Sequence, residues 1–306
     1  MMGNTVIFPV PGSPSAGDKL YRWLGRWRQG GIEQYSAESA QKPLPVWRSG
    51  ERFFVNEERI WLDTLPNAFH GLRIVQISDI HHGLFLPKEW LSDAVRKANR
   101  LNPDIIALTG DYVTYSRRNI EPAAEILGRL RARYGVYAVL GNHDFRVDAD
   151  AITSALRRQH IDVLRNRHVS LQFGGESVYL AGVDDYGYGA DLRRAMQGIP
   201  KEAARVLLAH NPRIIRLASR HDVSLVLSGH THGGQVNLPV LGTVYGRSPE
   251  RLRYKMGWDR MGATQIYVSR GIGTIVLPCR LRCPAEITHL ELLQGASGSS
   301  QIIAAD

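Results

Sequence analysis

Short runs of Val, Ile and Leu alternate along this chain with longer stretches in which apolar residues recur every three or four positions. The short runs are Leu72–Ser78, Asp104–Thr109, Val136–Leu140, Val178–Val183, Arg205–Ala209, Val223–Ser228, Gln265–Ser269 and Ile287–Leu292, each of strand length. Lys88–Leu101, Glu121–Arg133, Ala149–Gln159 and Arg213–Arg220 have helical spacing. Strand, helix, strand repeated in this way predicts an α/β domain whose central strands are buried on both faces. Phe53–Asp63 predicts an outer hairpin turning at Asn56-Glu57. The domain is expected over residues 50–292, after an extension at 1–49 and before a tail at 293–306 rich in Gly and Ser.

Composition narrows the class. Of 306 residues, 43% are hydrophobic and 22% charged, which excludes wholesale disorder. Two cysteines, Cys279 and Cys283, cannot make a disulfide framework, and a structural zinc site would want a second pair. No run approaches the length of a membrane-spanning helix, and Pro9, Pro11 and Pro14 interrupt an N-terminus that has no signal-peptide core. A cytoplasmic chain is therefore expected. The net charge of +9 lies wholly in residues 71–292, where 30 Lys and Arg face 21 Asp and Glu. Such a balance favours anionic partners: phosphates, nucleic acid or an acidic membrane surface.

The chemistry stands at the strand ends, where open α/β sheets bind their ligands. Asp79 and His81 follow the first run, and Gly110-Asp111 the second. Gly141-Asn142-His143-Asp144 follows the third, and His210 and Gly229-His230-Thr231-His232 follow two later ones. In extended chain, residues two apart share a side, so Asp79 and His81 can converge on one ion, and His230 and His232 can serve two neighbouring ions. The glycines let the backbone turn off each strand, and the two oxygens of Asp111 can bridge two cations. Imidazole with carboxylate suits Mn, Fe, Zn or Co better than an all-oxygen Mg or Ca site. A lone Asp after a strand is ordinarily a cap or a turn; here that account would have to hold at five strand ends at once.

The series Asp79-x-His81, Gly110-Asp111, Gly141-Asn142-His143-Asp144, His210 and Gly229-His230-Thr231-His232 resembles the calcineurin-like metallophosphoesterase superfamily over about residues 50–292. The runs at 71–79, Gly233-Gly234-Gln235 and 269–273 look like a bacterial branch of membrane-associated phosphodiesterases. That branch includes pyrophosphatases acting on UDP-2,3-diacylglucosamine, and its members often begin with a transmembrane or export segment that is not read here. The resemblance implies a β-sandwich of two mixed sheets flanked by helices on both outer faces. It implies two divalent ions, Mn foremost, with Fe, Zn, Co or Mg as alternatives. Asp79, His81 and His232 would hold the first ion, Asp111 would bridge, and Asn142, His210 and His230 would hold the second. His143 would act on the phosphate as a catalytic group, with Asp144 orienting its ring. The implied reaction is hydrolysis of a phosphodiester or pyrophosphate by in-line attack of a metal-bridging hydroxide.

Several features remain open at this stage. Arg270 can clamp a phosphate or form a plain ion pair. His82 reads as support for His81, and Asp184 and Asp185 as turn formers, with contact to substrate or a metal-bound water as the alternative. Lys19–Arg28 places Leu20, Trp23, Leu24 and Trp27 on one face of a short basic helix, which suits a membrane interface or packing on the domain. A basic, aromatic stretch at 245–282 suits a rim for a lipid-linked substrate on the inner membrane, or less readily for nucleic acid. The oligomeric state is not legible.

Overall fold

The computed structural model describes residues 53–83, 85–238, 242–243 and 254–295. The extension expected at 1–49, the basic helix expected within it and nearly all of the tail lie outside the described residues, as do 245–253 of the basic rim. In chain order the strands are β1 (Phe54–Leu62), β2 (Leu72–Ile77), β3 (Ile105–Leu108), β4 (Val136–Ala138), β5 (Asp162–Val163), β6 (Arg167–Phe173), β7 (Glu176–Gly182), β8 (Ala204–Leu208), β9 (Leu225–Ser228), β10 (Asn237–Leu238), β11 (Gly242–Thr243), β12 (Gly257–Met261), β13 (Thr264–Val268) and β14 (Glu286–Gln294). The helices are α1 (Lys88–Arg100), α2 (Ile120–Leu127), α3 (Asn142–Val147), α4 (Ala149–Arg158), α5 (Leu192–Met196) and α6 (Ile215–Ala218).

Two six-stranded sheets result, ordered β1-β14-β2-β3-β4-β5 and β12-β13-β9-β8-β7-β6, with β10 and β11 pairing apart. Both sheets are mixed: β2 to β5 are parallel with β14 antiparallel to β2, while β7, β8, β9 and β13 are parallel between antiparallel β6 and β12. Alternate residues build the seam between them. Leu72, Ile74, Ile105 and Ala107 of one sheet share a buried cluster with Leu180, Val206, Leu208, Leu225 and Leu227 of the other. The intervening residues of the second sheet, such as Leu207, Val226 and Ile266, meet Leu192, Ala195 and Met196 of α5 and Ile215 and Ala218 of α6. On the first sheet Val75, Ile77, Ile106 and Leu108 are equally buried. Parallel strands need crossovers; those of β2 to β5 carry α1, α2 and α4, with α2 packed against both others. The result is the expected sandwich with helices on both outer sides.

The hairpin expected at Phe53–Asp63 is not formed. β1 is one continuous strand paired in parallel with β14 from Phe54↔Glu286 to Leu62↔Gln294. No glycine is available at the would-be turn, and the Asn56 amide is instead held by the Tyr267 hydroxyl at 2.6 Å. α2 stops at Leu127, six residues short of the reading, with Gly128 as its C-cap, where a Cβ would lie 2.5 Å from Gln159 Oε1. β14 runs two residues past the expected domain end at 292.

Candidate metal centre

The seven residues singled out as metal ligands come together where the two sheets meet. Asp79 and His81 follow β2, Asp111 follows β3 and Asn142 opens α3 after β4, all from the first sheet. His210 follows β8, and His230 and His232 follow β9, from the second. Asp79, His81 and His232 gather their donor atoms into one group, and Asp79, Asp111 and His210 into another. His81 Nε2 lies 3.1 Å from His232 Nε2, and His232 Nε2 lies 3.4 Å from Asp79 Oδ1. Asp111 Oδ2 stands between the groups, 3.5 Å from His81 Nε2 and 3.1 Å from His210 Nε2. His230 Nδ1 joins the second group, 3.3 Å from His210 Nε2 and 2.9 Å from Asn142 Oδ1. Donors bonded to one ion at about 2.0–2.2 Å stand about 3.0–3.5 Å from each other. The spacing and the mixed imidazole, carboxylate and amide donors therefore fit a pair of divalent ions.

The backbone is bent to make this possible. Five of the seven, Asp79, His81, Asp111, His230 and His232, hold φ between 50° and 72°, the left-handed region that residues with side chains avoid. Strain of about 1–3 kcal/mol at each such position persists where the surroundings over-determine it and clusters at functional sites. Here the surroundings are loop-to-loop bonds: Asp79 N donates to Gly110 O at 3.0 Å, His81 N to Asp111 O at 2.9 Å and Gly229 N to His210 O at 3.0 Å. Of the three glycines read as turn formers, only Gly110 has a positive φ, of 93°. Gly229 serves by close approach: a Cβ there would lie 1.9 Å from Ser78 Oγ and 2.3 Å from Asp79 Oδ2.

A ring of supporting contacts selects which donor atom faces inward. Thr114 Oγ1 holds His81 Nδ1 at 2.9 Å, and His210 Nδ1 donates to Thr109 O at 2.7 Å, so both rings present Nε2. His143 N donates to Asp111 Oδ1 at 2.8 Å, leaving Oδ2 for the position between the groups. His232 is the exception, its buried Nδ1 having no hydrogen-bond partner among the described residues.

Burial dominates the electrostatics. It pushes His81 and His232 well below the ordinary histidine range, leaving neutral rings with lone pairs to donate. Asp79 is pushed up to about 6 by burial, with Asp111 adding to the rise. Burial opposes charge on both Asp111 and His210 too, but their mutual attraction wins, holding Asp111 well below the carboxylate range and His210 well above the imidazole one.

His143 lies beside the first group, its ring edge-on to His81 with centroids 4.9 Å apart. Asp144 does not orient that ring. Its carboxylate accepts N–H bonds from Gly141, Asp111 and Tyr112, each at 2.8 Å, and so clamps the loop carrying Asp111 to the start of α3. Unsatisfied N–H groups at a helix start and in a turn attract a carboxylate more strongly than a neighbouring ring does. Arg270 turns its Nε onto buried Glu286, the ion-pair alternative, and packs its stem on the Gly233 side of the His232 loop. His82 is support, bonded to Leu86 O at 2.9 Å. Asp184 is paired with Arg165.

The sequence reading missed Arg280. Its buried guanidinium donates to Gly273 O at 3.0 Å and Arg270 O at 2.8 Å and reaches His232 O at 3.4 Å. The Cys283 thiol donates to the same His232 carbonyl at 3.2 Å. An arginine in an arginine-rich stretch carries no signal that it is buried.

Strand ends of two mixed sheets thus bring Asp, Asn and His together on one seam. Residues 72–234 match the family model described as Calcineurin-like phosphoesterase, and the chain belongs to that family. It is 34% identical over 255 residues to "Transmembrane protein with metallophosphoesterase domain" of Danio rerio, covering 78% of this chain and 57% of that protein. It is 32% identical over 243 residues to "Uncharacterized metallophosphoesterase YkuE" of Bacillus subtilis, covering 77% and 84%. With "Phosphodiesterase YaeI" of Escherichia coli it shares 31% identity over 230 residues, covering 72% and 82%. The chain thus spans little more than half the length of the first of these relatives. No helix among the described residues is long and apolar enough to cross a membrane.

Proposed function

We propose that this chain is a dinuclear phosphohydrolase, a phosphodiesterase or pyrophosphatase, acting on a lipid-linked phosphate ester at the inner membrane surface. The observation that carries the chemistry is Asp111 Oδ2 within 3.5 Å of a histidine from each donor group. The ions, Mn foremost for this donor set, would supply polarisation of the phosphoryl oxygens and an acidified water. The chain's own groups do the rest. Asp79, His81 and His232 hold one cation, Asn142, His210 and His230 the other, with Asp111 shared. Asp144 fixes Asp111 relative to α3. His143 touches the phosphate. Burial lowers its pKa, so near pH 7 its ring is a neutral hydrogen-bond donor toward a phosphoryl or leaving oxygen. Arg270, ion-paired with Glu286, braces the Gly233 side of the His232 loop.

The lipid part is supported by the surface beside the His232 loop, where Met256, Leu277 and Leu281 are each more than 40% exposed next to Lys255 and Arg282. Exposed aliphatic side chains mixed with cations suit an anionic lipid surface. The segment at 1–49 is proposed as an extension carrying a basic interfacial helix, and the residues after β14 as a tail. The test is a panel of Mn, Fe, Zn and Mg against an aryl phosphomonoester, an aryl phosphodiester, a nucleoside-diphosphate lipid in vesicles and an oligonucleotide. Diesterase activity with little monoesterase, and preference for the vesicle substrate, is the expected result. Preference for the oligonucleotide would replace the lipid reading with a nuclease, and monoesterase alone would overturn the diesterase assignment.

A further inference from the structure

β7 and β8 run parallel with Gly182 beside Leu208, and Val183 N donates to Leu208 O at 3.3 Å. Residues 183–185 therefore leave the sheet alongside 209–211, which brings Asp184 and Asp185 to the strand end next to His210. Asp184 is fully engaged. Arg165 donates to its two oxygens at 3.0 and 3.1 Å, and its own N–H donates to Asn166 Oδ1 at 3.1 Å. This anchoring fixes where the next residue points.

Asp185 is different. It is 2% exposed, and its Oδ1 accepts from Gly187 N at 3.0 Å, closing a turn. Its Oδ2 has no hydrogen-bond partner among the described residues. A turn needs only one carboxylate oxygen, and asparagine would make it without burying a charge. A buried carboxylate oxygen lacking a donor is costly, and in a native fold it calls for an explanation such as a water, an ion or a chemical role. The groups whose fields reach Asp185 are His210 and Asp111, both of the second donor group.

We infer that Asp185 is an outer carboxylate of the second ion's site. Its Oδ2 accepts a hydrogen bond from a water that completes the coordination offered by Asp111, Asn142, His210 and His230. It is a positioning residue and not a ligand: it orients that water and adds negative charge beside the cation. The inference rests on the dinuclear reading above.

The test is manganese binding alone, with no substrate, measured by calorimetry and electron paramagnetic resonance on the full chain. Asp185→Asn keeps the Oδ1 acceptor, the volume and the turn, and exchanges the charged Oδ2 acceptor for an NH2 donor. The wild-type chain should take up two ions. The variant should bind one unchanged and the other about 10–100-fold more weakly, with the melting temperature of the ion-free chain not lowered. Asp185→Ser, which also preserves the turn, carries the same comparison should the asparagine variant not fold. Affinities within about twofold of wild type at both positions would return Asp185 to a turn residue. Equal weakening of both, with a lowered ion-free melting temperature, would also overturn the inference. A wild-type chain that binds no manganese would instead remove the centre itself, an outcome distinct from failure of the variants.

Discussion

At the scale of single residues, the proposed centre separates groups that would hold ions from groups that would act beside them. His143 reaches Asp111 through its backbone N–H, a contact that alanine keeps, while its ring stands outside both donor groups. His143→Ala should retain two ions by elemental analysis and lose about 10²–10⁴-fold in kcat. Arg280 acts through position. Among the described residues no carboxylate pairs with it; its donors fan over backbone carbonyls on either side of the first group, including those of His232 and Gly273. Arg280→Met strips donors from several buried acceptors, so unfolding in urea should show a loss of at least about 2 kcal/mol. The convergence of these seven side chains is legible in the sequence because Asp, Asn and His recur at successive strand ends and, in that order, resemble one family's motifs. Asp144 was misassigned because its partners are backbone N–H groups, which every sequence contains and none advertises. Arg280 was overlooked because burial of a cation depends on carbonyls contributed by residues up to 48 positions away.

At the scale of elements, the loops after the strands hold shapes that only tight contact sustains. Gly229 shows this best, since its missing side chain is the space occupied by Ser78 and Asp79. Gly229→Ala should destabilise the fold by about 1–3 kcal/mol and weaken the first ion more than the second, readable by thermal melting and by metal titration. The strands feeding these loops were readable because they are buried on both faces: β3, β8 and β9 contain no exposed residue. Edge strands were not. β6 mixes a single buried residue, Leu171, with six partly or fully exposed ones and offers no alternation. α3 was lost because its first residues carry site chemistry in place of an apolar face.

At the scale of the whole molecule, ion uptake and proton release are coupled. In the ion-free chain burial holds the proton on Asp79 up to about pH 6, and Asp111 keeps one on His210 above the ordinary imidazole range. Both must leave when cations bind, because a ligand has to offer a lone pair. Manganese affinity should therefore rise with pH from below 6 to above 7, with protons released into solution. Calorimetry in buffers of different ionisation enthalpy measures that release, and a pH-independent affinity would contradict the coupling.

The seam between the sheets has a consequence for how the protein is made. Neither half carries a complete pocket: Asp79 and His81 wait for His232, and Asp111 and Asn142 wait for His210 and His230. A ribosome must pass His232 before the last of these donors exists. Capture of a cation at the proposed centre therefore has to follow synthesis of strands from both sheets.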